Sequence, residues 1–308
     1  RPAELLRPPD WPAAHTHVVM VGETAGACTP HALQAALDAA LADTSQDTTI
    51  VVDTTTVGRS HVGETGVYEI SPRPTGSTRR LHLVSAEWYD GTWTPSDTTH
   101  FDIVDGHDHC FKLTNTRVAT GGGQGAPMLR VRANNVRIVG MSIQRPDNFG
   151  DFSVLYPTVH IMSTATNVVL EHCAGNGEAA AGNYNSQVGI RNDGTNVLLK
   201  NTASYGFSRA GAEATALYSA TGRHHQQEWC FIESASINYF TGGLWMPTPE
   251  GVSDVLFRKC YFPKRQQFNP ASHLYVPTTA KQNFELKYGT RYLMEDCIFE
   301  NSFRSGTE

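Results

Sequence analysis

The chain has 308 residues, with 24 Lys and Arg against 30 Asp and Glu, and a formal charge of −6 with neutral histidines. A charged fraction of 18% beside 40% hydrophobic residues excludes a disordered chain, and no basic run is present to track a nucleic-acid backbone. No stretch approaches the roughly 18–20 uninterrupted apolar residues of a membrane-spanning helix.

Residues 1–28 are rich in proline and small residues and predict an extended N-terminal arm. Residues 29–45 predict a short α-helix. Thr29 is its N-cap, Pro30 opens its first turn, and Leu33, Ala36, Leu37, Ala40 and Leu41 share one face. The strand TIVVD from Thr49 follows. An amphipathic helix at that place would plug the open end of a stacked-coil structure extending over residues 46–308. The start at Arg1, without methionine, predicts a processed or trimmed product, in which a removed export signal would leave no trace, and the end near Glu308, with no evident cap, predicts a C-terminal truncation.

Between Val136 and Phe299 one pattern recurs: VRIVGMSI from Val136, VVLEHCAG from Val168, VLLKNTAS from Val197, WCFIESAS from Trp229, VLFRKCYF from Val255 and YLMEDCIF from Tyr292. The steps are 32, 29, 32, 26 and 37 residues. Repetition at this period, with alternating apolar residues inside each copy, predicts an all-β solenoid. The first and third positions of each copy would face the core. The sixth, Met141, Cys173, Thr202, Ser234, Cys260 and Cys297, would stack inside a bend. The second position, with Val169, Leu198, Leu256 and Leu293, would form an outward apolar ribbon. Such a ribbon predicts a cover, from the N-terminal arm or from neighbouring subunits in a trimer.

A second strand precedes each copy: MLRVR, VHIM, VGIR, LYSA, LWMP, LYVP and FELK. With its apolar residues inward, its outer positions make two files. One is Arg130, His160, Gly189, Tyr218, Trp245, Tyr275 and Glu285; the other is Arg132, Met162, Arg191, Ala220, Pro247, Pro277 and Lys287. Cations and aromatic rings on one strip suit an elongated acidic glycan, because arginine forks match carboxylates and rings stack on sugars. The competing reading is that Arg, Tyr and Trp merely suit a pleated, half-buried surface.

The six cysteines show no CxxC spacing and read as buried thiols, with Cys260 and Cys297 on successive copies and Cys28, Cys110 and Cys230 outside the stack, where a Cys28–Cys110 bridge is the alternative. The run DGHDHC from Asp105 reads as a polar turn before it reads as a metal site. TGRHHQQE, with His224 and His225, reads as a solvated turn with at most one histidine facing the strip. No metal ligands are assigned.

The helix followed by TIVV, the repeated NV-led strands and the closing stretch NFELKYGTRYLMEDCIFENSF together resemble the right-handed parallel β-helix proteins of the pectate-lyase-like superfamily. The resemblance covers roughly residues 29–308. It implies a right-handed parallel β-helix with a short N-terminal capping α-helix, in a secreted or extracellular protein or on a virion surface. It also implies either a lyase of acidic polysaccharides or a non-catalytic adhesin, tail spike or filament subunit. Lyases of that superfamily pair a basic proton abstractor with an arginine or a cation such as Ca2+ that neutralises the substrate carboxylate. The matching materials are Lys287 or His160 as base, Arg191 and Arg291 on the carboxylate, and Glu285 beside them. Arg130, Arg132, Tyr218, Trp245 and Tyr275 would bind flanking sugars. The paired Asp motifs of polygalacturonases and the RxPxxR segment of calcium pectate lyases are missing from the sequence, so the calcium requirement and the identity of the polysaccharide stay open.

Overall fold

The computed structural model describes residues 17–21, 30–53, 60–63, 68–91, 110–115, 128–144, 154–177, 185–209, 213–242, 251–274 and 278–303. Within them the chain winds repeatedly through three faces. The first is a nine-stranded sheet of His17–Val21, Thr48–Val52, Leu81–Ser85, Val136–Val139, Thr166–Glu171, Thr195–Lys200, Gly222–Glu228, Val252–Arg258 and Thr290–Glu295. The second face contains Met141–Gln144, Ala174–Asn176, Ala203–Arg209, Phe231–Ser234, Tyr261–Phe262 and Ile298–Phe299, preceded by Ser60–Gly63 and Phe111–Asn115. The third runs Tyr68–Ile70, Leu129–Val131, Val154–Ile161, Asn185–Asn192, Thr215–Ser219, Ile237–Thr241 and Phe284–Leu286. Neighbouring windings pair in parallel throughout, except where Asn185 and Ser186 run antiparallel to Arg209 and Ser208. This is a parallel β-helix, the fold that the sequence resemblance implies, and its helices are few and short.

The last six of the nine first-face strands have residues in the left-handed backbone region at both ends. Asn135 precedes the first of them, and Asn167, Asn196, His224, Asp254 and Arg291 lie near the start of the next five, with φ of 55–59°. Gly140, His172, Asn201, Trp229, Lys259 and Asp296 end them. Asparagine enters this region at less cost than most residues. Here the first three also form a ladder, Asn167 Nδ2 donating to Asn135 Oδ1 at 2.8 Å and Asn196 Nδ2 to Asn167 Oδ1 at 2.7 Å.

The sequence copies starting at Val136, Val168, Val197, Val255 and Tyr292 stand in register. The fourth does not start at Trp229. Val197 pairs with His225 and Leu199 with Gln227, so that copy starts at His225 and the steps become 32, 29, 28, 30 and 37 residues. His225 and Gln227 are buried at core positions that elsewhere hold Val, Ile, Leu, Phe, Tyr or Met, and these polar side chains hid the repeat. Gly222–Glu228 is therefore a strand rather than a solvated turn, and the sixth-position stack contains Cys230 in place of Ser234. The stack has its own rule: Cys173, Thr202, Cys230, Cys260 and Cys297 each donate to the carbonyl of the third position one winding earlier, at 3.2–3.6 Å. Cys173, Cys230, Cys260 and Cys297 are free thiols, and Cys110 is buried.

The helix α1, Pro30–Ala42, buries Leu33, Leu37 and Leu41 in the same cluster as Ile50, Tyr68 and Ile70, which places it over the first windings. Residues 1–28 do not form only an arm: His17–Val21 pairs in parallel with Thr48–Val52 and begins the first face. No helix among the described residues is long and apolar enough to cross a membrane.

The expected apolar ribbon is interrupted. Register places Arg137, Val169, Leu198, Gln226, Leu256 and Leu293 in one outward file, so Gln226 splits it. Val169 is 3% exposed and Leu256 5%, already covered within the chain. The file therefore lacks the continuous exposed seam that the trimer expectation requires. The next outward file is ionic, with Glu171, Lys200, Glu228, Arg258 and Glu295 on successive windings.

Candidate functional site

The third face presents one unbroken outward file: Glu69, Arg130, His160, Arg191, Tyr218, Phe240 and Glu285, each paired with the next. At 4.7–4.9 Å per strand it extends about 29 Å. Arg130, His160, Tyr218 and Glu285 occupy the positions expected from sequence. Arg191 belongs in this file and not in the second, because Ile190 and Asn192 are the inward residues of its strand. Gly189 faces a crowded place where an added Cβ would come within 2.3 Å of Ala216 O and Ser204 Oγ, so the position takes only glycine.

Phe240 and Glu69 join the file without a sequence signal having marked them. Phe240 stands on Ile237–Thr241, which pairs directly with both Thr215–Ser219 and Phe284–Leu286. No rung remains between them for LWMP or LYVP. Leu274 is a turn residue, 56% exposed, and Trp245 and Tyr275 lie outside the described residues, as do Cys28 and residues 105–109.

The centre of the strip is Asp193, which the sequence reading passed over. It follows the strand Asn185–Asn192, and its side chain is only 4% exposed. Its Oδ1 accepts from the backbone N–H groups of Ala220 (2.9 Å) and Thr221 (3.3 Å) in the next winding. Its Oδ2 accepts from Arg191 Nε at 2.6 Å and lies 3.1 Å from His160 Nε2. Burial by itself would raise the Asp193 carboxyl. The hydrogen bond from His160, the Arg191 charge and the Ala220 N–H outweigh it and hold the group below the ordinary carboxylate range. A carboxylate only accepts hydrogen bonds, so His160 carries its proton on Nε2 and, when neutral, has its lone pair on Nδ1. Asp193 thus fixes an imidazole and a guanidinium on a single oxygen.

Beyond Arg191 the file becomes a column of stacked groups. The Arg191 guanidinium lies 5.2 Å from the Tyr218 ring centre, Tyr218 and Phe240 stack at 5.3 Å and 17°, and Lys287 Nζ lies 5.1 Å from the Phe240 ring centre. Both ring faces are occupied on Tyr218 and on Phe240 alike. The expectation that Tyr218 stacks on a sugar therefore fails for steric reasons; only ring edges remain. Tyr218 also donates its hydroxyl to Gly242 O at 2.9 Å.

The flanking charges are paired. Glu69 accepts from Arg130 at 3.1 Å and Arg132 at 3.0 Å, and Glu285 lies 3.0 Å from Lys287 Nζ. Lys287 is three rungs from Arg191 and four from His160, too far to share a reacting atom with them. Arg291 does not join the strip: it stands on the first face and donates Nε and Nη2 to the two oxygens of Asp254. His224 lies 3.9 Å from the same Asp254, and His225 points into the core, its Nε2 2.8 Å from Gly194 O. Among the described residues no group of three or more His, Cys, Asp or Glu is arranged to hold a metal ion.

No protein-family model matches the chain, and no curated protein matches it. Among solved structures, ORF18 of Geobacillus virus E2 superimposes with a TM-score of 0.59 at 11% identity, over 91% of this chain and 48% of the viral one. The chain thus spans about half the length of that protein. An alginate lyase from a Paenibacillus species gives 0.43 at 12% identity, over 80% of this chain and 67% of the lyase. A deglycosylated pectin methylesterase from Aspergillus niger gives 0.35 at 13%, over 96% and 93%. At these identities the likeness is one of fold.

Proposed function

We propose that the third face binds an acidic polysaccharide and cleaves it by β-elimination. The observation that carries this reading is the sharing of Asp193 Oδ2 by His160 and Arg191, which sets a proton acceptor beside a carboxylate-binding fork. Arg191 donates only Nε to Asp193, and its Nη groups have no hydrogen bond among the described residues. They match a uronate carboxylate in bidentate geometry.

The chemistry follows from that pairing. His160 Nδ1 takes the proton from the carbon next to the carboxylate. The electron pair left behind is delocalised into the carboxylate that Arg191 neutralises, then forms the carbon–carbon double bond as the glycosidic oxygen on the next carbon departs. The departing oxygen takes its proton from the imidazolium, which restores the neutral base. Asp193 stabilises the charged imidazole in between without accepting the proton itself. Arg130, beside His160 in the file, and Arg132, two residues on, share Glu69 and bind a neighbouring acidic sugar with their remaining donors.

The test is incubation with a panel of uronic-acid polymers, with and without calcium, while following the ultraviolet absorbance of unsaturated ends. Turnover that disappears in His160→Ala, with the fold retained by circular dichroism, is the expected result. Binding without turnover would leave a non-catalytic glycan-binding β-helix, and neither binding nor turnover on any polymer would overturn the reading.

A further inference from the structure

We infer that the ligand is gripped at two anionic groups set three windings apart, one by Arg191 and the other by Lys287, with the Tyr218–Phe240 pair as a rigid spacer between them. This rests on the reading of the third face as an acidic-polysaccharide site and adds a length and charge requirement to it. Lys287 takes no part in the chemistry there.

The column of stacked groups is the physical basis. Arg191 caps one end of the ring pair and Lys287 the other, so each cation is held against a ring face while part of it stays in solvent: the side chains are 33% and 48% exposed. An unconstrained lysine would sweep a wide volume and specify no interval. Seated on Phe240, its ammonium is confined, and three rungs fix the two cations about 14 Å apart. The tether is anchored further by Tyr218, whose hydroxyl is bonded to Gly242 O, and by the Lys287 backbone N–H, which donates to Thr241 O at 3.1 Å.

The partner carboxylates do not block this role. Asp193 is committed on both oxygens, while the Lys287 end of the Glu285 pair is 48% exposed and the 18% exposed Glu285 also accepts from Gln282 Nε2 at 2.9 Å, so the carboxylate keeps a donor when the ammonium turns to a competing anion. Between the cations the described residues of the file offer ring edges and no charge. The matching ligand carries a carboxylate or sulfate at each end of that interval and tolerates uncharged sugars within it, as in a heteropolymer where acidic and neutral residues alternate.

Binding of oligogalacturonates, oligomannuronates and heparin-derived oligosaccharides of increasing length, measured by titration calorimetry at low salt, tests this. For at least one series, affinity should rise about five- to tenfold at the length that first spans both cations, and Lys287→Gln should remove that rise while leaving shorter oligomers unaffected. Phe240→Leu, which keeps the burial and loses the ring, should blunt the same step. Equal affinities of wild type and Lys287→Gln at every length, with Arg191→Gln still abolishing binding, would overturn the two-point grip alone. No binding by any series would overturn it together with the proposed function.

Discussion

The first and third faces stack charged side chains by the same rule and reach different ends. On the first face each carboxylate meets strong cations in neighbouring windings: Glu171 accepts from Arg137 and Lys200, and Arg258 bridges Glu228 and Glu295. The hydrogen-bonded partners in that ladder are carboxylates, guanidinium groups and an ammonium, and the ladder closes on itself. On the third face Asp193 meets one guanidinium and one imidazole, and its remaining oxygen is used by backbone N–H groups. An in-register charge ladder is therefore structural by default. It becomes a candidate site where a histidine replaces a permanent cation and an arginine keeps donors to spare.

The sharpest way to break this contrast is to neutralise one carboxylate on each face. Asp193→Asn keeps an oxygen for the Ala220 and Thr221 N–H groups but cannot hold the imidazolium, so turnover on a cleaved polymer should fall by about 10²–10⁴-fold. Glu171→Gln should leave turnover unchanged and cost about 1–3 kcal/mol of stability in urea melts. Equal losses of turnover in both variants would erase the distinction.

Acid stability separates the ladder from the core. Burial raises the Glu171 carboxyl, yet Arg137 and Lys200 overcome this and bring it to about 2 from 4.5. A depressed acid stabilises the fold above its unfolded pKa and loses that contribution as pH falls from about 4.5 towards 2. His225 and His172 behave differently: burial lowers each to about 4 from 6.5, so the unfolded chain binds their protons first and stability falls between pH 6.5 and 4. Each can account for about 3 kcal/mol over that window. His225→Val should flatten the loss between pH 6.5 and 4, and Glu171→Gln the loss below 4.5, both read from urea melts across pH.

The fold was legible because five of the six repeat copies keep apolar residues at both core positions, and the corner residues turn polar in step. Two failures share one cause. His225 and Gln227 in one winding, and Asn192 in another, place polar groups at inward positions, where alternation of apolar residues marks no register. The first error displaced a whole copy and concealed the strand bearing Phe240. The second put Arg191 in the wrong file and left Asp193 unread, since an Asn-Asp-Gly run looks like a turn. Arg130, His160, Tyr218 and Glu285 are legible because their strands hold Val, Ile, Leu or Phe on the inner side. The stacking of ring on ring and cation on ring depends on side-chain conformation, which no periodicity encodes.

The smallest effect concerns the corner of the first face, where neutral amides in the early windings give way to the charged Asp254–Arg291 pair in the late ones. Asn167 donates to Asn135 and accepts from Asn196 with its backbone at φ 58°. Asn167→Gly loses the side-chain bonds and relieves the backbone, whereas Asn167→Ala loses the bonds and keeps a Cβ in the left-handed region at an extra cost of about 1 kcal/mol. Glycine should therefore melt above alanine and below wild type. A glycine variant as stable as wild type would mean that backbone conformation alone selects asparagine, and that the ladder differs from its charged counterpart in contributing no binding energy between windings.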